Sequence, residues 1–414
     1  MAKIRPFRAI RPVRERAAQV AAFPYDVMSS QEARELVKDN PYSFLRIDKA
    51  EVDLEPEVDL YDTRVYEQAA HNLKEFRREG ILIQDEEPYL YIYRLTMGNH
   101  SQTGLVFCAS VDDYLNNVIK KHEYTRADKE EDRIKHVDYC NANTGPILMT
   151  HRSEPVVKEC LKEWTATREP VYDFTAGDGI GHQVWLIDDG STIGRLVEAF
   201  GGIESLYIAD GHHRSASAVK VALKRREADP GYTGDEEYNY FLAVAFPGEE
   251  LRIMDYNRVV KDLNGLTAEE FLNRLGEKFL VEKADRQPFA PDGPRIFGMY
   301  LEGQWYRLTA REGTYDKNDP VAALDVSILQ HNLLEPVLGI RDPRRDDRID
   351  FVGGIRGLGE LEKLVNQGMA VAFALYPTTV EELMAISDRG QVMPPKSTWF
   401  EPKLRSGLFI HELT

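Results

Sequence analysis

The chain has 414 residues, of which 43% are hydrophobic, and this length exceeds what one compact core usually holds. Its formal net charge is −17, from 52 basic and 69 acidic residues, so its surface repels nucleic acid unless basic residues gather locally. Three widely spaced cysteines indicate neither a disulfide framework nor a structural zinc site, and the lack of a bilayer-length apolar run favours a cytoplasmic protein.

Helix and strand patterns both occur in the first 260 residues. The first part of the chain is predicted to form an extended arm at 3–12, a helix from about Gln31 and a helix at 62–79. An antiparallel pair of strands at 89–95 and 104–110 follows, and then strands at 147–150 and 183–187. A helix from 210 to about 227 precedes a strand at 240–246, which is expected to pair with 251–260. The alternating charges at 128–133 are typical of a solvent-exposed helix face.

The rhythm of the sequence changes after residue 260. The following stretch predicts a helix at 267–279, a hairpin of strands at 296–300 and 304–308, a helix at 323–338, a strand at 371–376 and a helix opened by Thr379. We therefore predict a core at 1–260 and a C-terminal α/β region at 261–414. This second region is expected to return the Pro-Pro-Lys-Ser-Thr segment at 394–398 to the functional site.

The corner Asp210-Gly211-His212-His213-Arg214 joins a short apolar run to a helix. Asp210 is expected to cap that helix. A helix start offers free N–H groups and the positive end of a dipole, and an arginine adds a fork of donors, so the corner suits a phosphate or carboxylate. The two histidines are adjacent and lie on different helical faces, so joint chelation of one metal is disfavoured.

A second segment, 122–126, begins with His122 and Glu123. It differs from the zincin motif because Arg126 stands where the second histidine is needed, and a cation there opposes metal binding. A His-Glu-x-x-His protease is therefore disfavoured. Glu123 is left open as a base, as a magnesium ligand or as a surface ion-pair partner, and no metal ligand set is assigned.

The closing segment 394–398 has the Lys-Ser-Thr end of a P-loop but lacks its glycines, and its two prolines remove donors that such a loop needs. A P-loop is therefore rejected. Two alternatives remain for this segment: it forms an anion clamp, or it is a solvated tail. The residues concerned are Lys396, Ser397, Thr398 and the nearby Lys403. The aromatic residues Trp399 and Phe400 favour a packed segment.

Several motifs taken together make the chain resemble DUF1015, a prokaryotic family of proteins of unknown function. The resemblance extends over essentially the whole chain. Its motifs are Arg5-Pro6-Phe7-Arg8, Pro24-Tyr25-Asp26-Val27, His122-Glu123-x-Thr125, Ala209-Asp210-Gly211-His212-His213-Arg214 and Met393-Pro394-Pro395-Lys396-Ser397-Thr398.

The Asp-Gly-His-His-Arg corner is also similar to the nucleotide-binding motif of the ParB and sulfiredoxin superfamily, especially of its free serine kinases. This resemblance implies an α+β fold with a ParB/sulfiredoxin-like mixed-sheet core and large additional α/β elements. It also implies that Asp210 is the general base and that Glu123 is a second carboxylate. Phosphate or nucleotide would be held by Gly211, His212, His213 and Arg214.

The function predicted from these features is a phosphotransferase, a small-molecule kinase that uses Mg²⁺ with ADP or ATP. It would act on free serine or a similar hydroxyl metabolite, with the phosphoserine-to-serine direction left open. The alternative is a non-catalytic, nucleotide-binding regulatory protein. Lys396, Ser397 and Thr398 are further nucleotide-binding candidates, and the substrate-binding candidates are Tyr25, Asp26, His122, Arg126, Arg258 and Lys403.

The expected partners are a nucleotide and a small-molecule substrate, with no membrane. The negative net charge disfavours nucleic acid. A homo-oligomer is compatible with the sequence, which does not determine the oligomeric state.

Overall fold

The computed structural model describes residues 1–414, which divide into two compact units. The first unit contains Met1–Leu251 and Pro402–Thr414, and the second contains Arg252–Glu401. The C-terminal segment therefore folds with the first unit. None of the helices combines the length and the apolar character that crossing a membrane requires.

The first unit is built on a nine-stranded mixed sheet. The strands of the whole unit, inside and outside this sheet, are β1 (Ile4–Arg5), β2 (Ile10–Pro12), β3 (Leu82–Gln84), β4 (Leu90–Met97), β5 (His100–Ser110), β6 (Ile119–Lys120), β7 (Ala142–Asn143), β8 (Ile147–His151), β9 (Tyr172–Thr175), β10 (Gly181–Ile187), β11 (Leu206–Asp210), β12 (Tyr240–Pro247) and, near the C-terminus, β21 (His411–Glu412). The sheet order is β6-β11-β8-β12-β5-β4-β10-β9, and β1 pairs with β5. The β6–β11 and β8–β12 pairs are parallel, and the others are antiparallel. The strand pairs β2–β3 and β7–β21 lie outside this sheet.

The helices of this unit are α1 (Ala17–Val20), α2 (Ser30–Val37), α3 (Leu45–Asp48), α4 (Thr63–Arg78), α5 (Val111–Leu115), α6 (Ala127–Cys140), α7 (Pro155–Thr167), α8 (Gly190–Gly202) and α9 (His212–Ala228). Alternate residues of a strand point to one face of a sheet, and Leu90 with Ile92 on β4, and Leu105 with Phe107 on β5, follow this rule. They join apolar residues of α7, α8 and α9 in one buried core. The core contains Ile208 of β11 and Ala218, Val219 and Ala222 of α9, so it anchors the strand and the middle of the helix that follows it.

Helix α6 differs from the expectation of a solvated face. Glu130, Asp132 and Arg133 are buried, because α6 packs against α4 and α9. Asp132 accepts hydrogen bonds from the hydroxyl of Tyr66 at 3.0 Å and from the Arg133 guanidinium at 2.9 Å. The predicted solvated face was therefore wrong for Glu130, Asp132 and Arg133, whereas Asp128 and Glu131 are exposed as predicted.

The second unit contains β13 (Arg252–Met254), β14 (Tyr256–Val260), β15 (Phe279–Lys283), β16 (Ile296–Leu301), β17 (Gln304–Ala310), β18 (Ile349–Gly353), β19 (Val371–Ala374) and β20 (Trp399–Glu401), with helices α10 (Ala268–Leu275), α11 (Asp325–Leu329), α12 (Leu358–Asn366) and α13 (Val380–Asp388). A π-helical turn, Gln330–Leu334, follows α11. Six strands form an antiparallel sheet in the order β15-β17-β16-β19-β14-β18, and β13 pairs with β20.

The two sheets and their helices confirm the predicted α+β class with a mixed-sheet core and large additional α/β elements. The predicted hairpins at 89–110 and 296–308 are confirmed as β4–β5 and β16–β17. The expected pairing of 240–246 with 251–260 was wrong. Strand β14 instead pairs with β18 and β19, because the chain has already entered the second unit.

Candidate functional site

Strand β11 and helix α9 meet at a sharp corner in the first unit. The strand ends at Asp210, the helix begins at His212, and Gly211 between them has φ +96°, a conformation that favours glycine. A Cβ at Gly211 would lie 3.1 Å from the guanidinium of Arg214. Glycine therefore provides the turn and also lets Arg214 fold back over it.

Asp210 does not cap α9, so that expectation from the sequence was wrong. The residue before the helix is Gly211, and no side chain caps the first turn of α9. The Asp210 carboxylate instead accepts a hydrogen bond from Nη2 of Arg214 at 2.9 Å, and its Oδ1 lies 3.8 Å from Nζ of Lys403. The first N–H groups of α9 thus keep the donor capacity that a capping side chain would have used.

The surroundings of Asp210 favour its ionised form. Burial opposes the charge, but Lys403, Arg214 and His122 hold the pKa of Asp210 below its ordinary value. About a third of the side chain, 31%, is exposed to solvent. The corner therefore presents an ionised carboxylate that a small molecule can reach.

Arg214 is largely buried, and it donates hydrogen bonds to the carbonyl oxygen of Pro146 and to Asp210. Its Nε has no hydrogen-bond partner. Burial lowers the pKa of Arg214, but the charges of Asp26 and Asp210 raise it above the ordinary value, and Tyr25 adds to this effect. Arg214 is thus a fixed cation, and the candidates Tyr25 and Asp26 lie close enough to act on its charge.

A small cavity of about 30 Å³, large enough to hold water, lies beside Arg214. Residues that line it include Tyr25, Asp48, Arg133, Thr144 and Arg214. The Arg133 guanidinium lies 4.0 Å from the Tyr25 ring centre, and Asp48 accepts a hydrogen bond from Thr144 at 2.6 Å. The sequence prediction missed Asp48, Arg133 and Thr144, because no local pattern distinguishes them from solvated or turn residues.

His122 and His212 form a compact pair. Their rings meet edge to face with centroids 4.4 Å apart, and the main-chain N–H of His122 donates to Nε2 of His212 at 3.4 Å. Oε2 of Glu123 lies 3.8 Å from Nδ1 of His212. Burial lowers the pKa of His122 to about 4 and the pKa of His212 well below its ordinary value, so both rings are neutral at pH 7.

His213 and Arg126 are joined through the main chain. The N–H of Arg126 donates to Nε2 of His213 at 3.1 Å, whereas the Arg126 guanidinium pairs with Asp128 at 2.8 Å. Burial lowers the pKa of His213, although Asp26 and Glu130 oppose that shift. Arg126 is therefore brought to the corner by its backbone, and its charged group is already paired.

The structure collects eleven of the predicted residues within the first unit. They are Tyr25, Asp26, His122, Glu123, Arg126, Asp210, Gly211, His212, His213, Arg214 and Lys403. The contact between Lys403 and Asp210 became visible only in the structure, since the sequence indicated no more than a cation near the end of the chain.

The other four predicted residues, Arg258, Lys396, Ser397 and Thr398, lie in the second unit. Arg258 is buried on β14 and donates to the carbonyl oxygen of Lys396 at 2.9 Å, and burial lowers its pKa to about 10. The Ser397 hydroxyl donates to the carbonyl oxygen of Pro394 at 2.6 Å, and Nζ of Lys396 lies 5.6 Å from the Tyr256 ring centre. The segment is packed within its unit, which removes the alternative of a solvated tail.

A family model described as "Protein of unknown function (DUF1015)" matches residues 4–327, which include the corner but not the closing motif at 393–398. No curated protein matches the sequence with significance.

Similar solved structures include a free serine kinase in complex with AMP, with 16% identity and a TM-score of 0.36 over 73% of this chain and 91% of that one. A conserved hypothetical protein from Pyrococcus furiosus shares 16% identity with a TM-score of 0.35, covering 74% of this chain and 94% of that one. SbnI with a C-terminal truncation, from Staphylococcus aureus, shares 11% identity with a TM-score of 0.39, covering 73% and 85%. At these scores and identities the likenesses carry no information on function.

Proposed function

The chain belongs to the DUF1015 family, as its motifs predicted, and from this starting point we propose that it is a phosphotransferase. It would move a phosphoryl group between ADP or ATP and free serine or a similar small hydroxyl metabolite. The observation that carries the proposal is the uncapped start of α9 beside the partly exposed carboxylate of Asp210. Free N–H groups at a helix start bind phosphate oxygens, and a nearby carboxylate orients an attacking hydroxyl.

In the proposed reaction, the substrate hydroxyl oxygen attacks the terminal phosphorus of the nucleotide. A new oxygen–phosphorus bond forms, the bond to the leaving phosphate oxygen breaks, and Asp210 accepts the hydroxyl proton. Mg²⁺ carried by the nucleotide would offset the negative charge of the phosphates. The similarity of the corner to the motif of free serine kinases also supports this chemistry.

The side chains at the corner suggest a division of roles. The Arg214 guanidinium is occupied by Asp210 and Pro146, and His212 is buried against His122, so we propose that phosphate is held mainly by the main-chain N–H groups of α9. Arg214 and Lys403 then position Asp210. Glu123, whose side chain is 44% exposed, would be the second carboxylate.

The candidates of the second unit, Lys396, Ser397, Thr398 and Arg258, stay predictions. Lys396→Ala tests the role of this segment most directly, because the Lys396 side chain is exposed and its removal leaves the buried side chains of the segment in place. A nucleotide-binding role predicts weaker binding of ADP or ATP by this variant at unchanged thermal stability.

The phosphotransferase proposal is tested with the full-length chain, Mg²⁺, and either serine with ATP or ADP, or phosphoserine with AMP or ADP. Chromatographic separation of the nucleotides measures turnover in each direction. Asp210→Asn is expected to lower the rate by about 100-fold or more, the usual contribution of a positioned base. Asp188→Asn, at an exposed aspartate, serves as the matched control. No turnover above the Asp210→Asn level in either direction would rule the proposal out.

A second candidate function is nucleotide sensing without chemistry. The lowered pKa of Asp210 favours it, because a strongly ionised carboxylate is a weak base. This candidate predicts that nucleotide raises the melting temperature, that serine changes nothing, and that no nucleotide is consumed. Turnover that depends on serine would exclude it.

A further inference from the structure

His122, Glu123 and His212 come together from two distant parts of the chain. One potential ligand atom from each residue lies within 4.8 Å of the other two. Ligand atoms around a tetrahedral zinc ion, with bonds of about 2.1 Å, lie roughly 3.4 Å apart, so the widest separation in the cluster must shorten by up to about 1.4 Å. The partly exposed side chain of Glu123 lies on the loop before α6 and can rotate to close this gap.

The imidazole of His122 provides an independent observation. Its side chain is only 2% exposed, and its Nδ1 has no hydrogen-bond partner. Most buried polar atoms in proteins have a partner, because an unpaired one is unfavourable. A metal ion bound at this nitrogen would satisfy it.

The environment of the two rings is compatible with metal binding. Ligation requires neutral imidazole, and burial of both rings disfavours the charged form. Binding at Nδ1 of His212 leaves the imidazole proton on Nε2, which gives up the hydrogen bond from the His122 N–H. At 3.4 Å that bond is long and weak, but its loss leaves the buried His122 N–H without this acceptor, a cost that metal binding must offset.

We propose that His122, Glu123 and His212 bind a divalent transition metal ion such as Zn²⁺. Two imidazoles and one carboxylate are the donor set of many zinc sites that keep a fourth position open, whereas Mg²⁺ prefers oxygen ligands. The site is distinct from any Mg²⁺ that accompanies a nucleotide. It gives Glu123 the role of a ligand in place of that of a second catalytic carboxylate, and it stands whether or not the chain transfers phosphate.

The fold supplies what the local sequence lacks. Arg126 occupies the position at which a zincin helix carries its second histidine, and His212 provides that second imidazole from the first turn of α9. Asp210 adds negative potential beside His122, and it opposes the positive potential of Lys121 and Arg214 near His212. The positive charge of a bound ion would be partly balanced by the carboxylates of Glu123 and Asp210.

The test uses the full-length chain, stripped with a chelator and free of nucleotide. After incubation with Zn²⁺ or Co²⁺ and gel filtration, we expect one ion per chain by elemental analysis. Bound Co²⁺ is expected to show the visible absorption of tetrahedral coordination, and an excess of Mg²⁺ should not displace it. A chain that retains neither ion overturns the proposal.

The variants locate the site. Glu123→Gln, His122→Asn and His212→Asn are each expected to weaken Co²⁺ binding at least tenfold, whereas Glu131→Gln and His71→Gln, at exposed positions, leave it unchanged. The buried histidine variants can misfold, so the partly exposed Glu123 decides the matter. Unchanged Co²⁺ affinity in a Glu123→Gln chain with native circular dichroism overturns the proposal, as does an equal loss in Glu131→Gln.

Discussion

Asp210 is held between two cations of different origin. Arg214 comes from its own helix, and Lys403 comes from the C-terminal segment that folds back into the first unit. A carboxylate so placed is ionised well into the acid range, because each positive charge favours the charged form. The ionisation of Asp210 is thus set by these two cations, so removing either of them should change the pKa of Asp210 measurably.

Lys403→Met is expected to raise the pKa of Asp210, because the variant removes the foremost of the charges that lower it. As the pH is lowered, any activity that needs the ionised carboxylate should then begin to fall at a higher pH in the variant than in the wild type. Profiles of kcat/KM between about pH 4 and 8 for wild type and variant measure this shift. Lys38→Met at an exposed lysine is the control, and coincident acid limbs would show that Lys403 does not tune Asp210.

Gly211→Ala is expected to destabilise the protein by about 1–3 kcal/mol, because alanine resists positive φ and its Cβ would meet the Arg214 guanidinium. Urea unfolding measures the change. Gly194→Ala in α8, where nothing lies within 4 Å of the added Cβ, should stabilise by about 0.5–1 kcal/mol. Equal effects at the two glycines would contradict the strain argument.

Helix α6 shows how an element can mislead when it is viewed alone. Its alternating charges look solvated, yet α4 and α9 cover the face that carries Asp132 and Arg133. A buried charge is stable only while its partner is present. The helix therefore depends on these pairs more than a surface helix would.

Asp132→Asn is expected to lower the free energy of unfolding by about 3–5 kcal/mol, since it leaves the buried Arg133 without its charged partner. Glu131→Gln, at the neighbouring exposed position, should change it by no more than about 0.5 kcal/mol. Urea titrations of both variants provide the comparison. Similar small effects would show that the Asp132–Arg133 pair contributes little.

Local patterns located most elements but not their long-range partners. The 3.6-residue period identified α9, and two strand-like runs joined by a polar loop identified β4 and β5, because both signals lie within a short stretch of sequence. The contact of Asp210 with Lys403 and the pairing of β14 with β18 join segments far apart in the chain. No periodicity carries such information, so these features emerged only from the fold.

At the scale of the whole molecule, many histidines are buried and neutral. Burial lowers the pKa of His122, His136, His151, His182, His212 and His411. His182 is the most informative, since burial and the charge of Arg405 lower its pKa to about 3 from 6.5. Because the unfolded chain binds these protons more readily, acid should unfold the protein.

The sign of the pH effect follows from His182. The stability that depends on its neutral ring is complete above pH 6.5 and is lost as the pH falls from 6.5 toward about 3. We expect His182 to cost about 2 kcal/mol of stability at pH 5 relative to pH 7.5. Urea unfolding with a chelator present measures it. His182→Gln should reduce the pH dependence and His71→Gln should not, and unchanged pH dependence in His182→Gln would contradict the assignment.

The pairing of β13 with β20 has a consequence for how this chain can be altered. Arg252 and Glu401 are partners across these strands, so the chain enters and leaves the second unit at neighbouring points. Such a module can be gained, lost or exchanged by recombination, because a short linker bridges its two ends. Excision of residues 252–401 would retain Lys403, the partner of Asp210, whereas a stop codon anywhere before residue 402 would remove it.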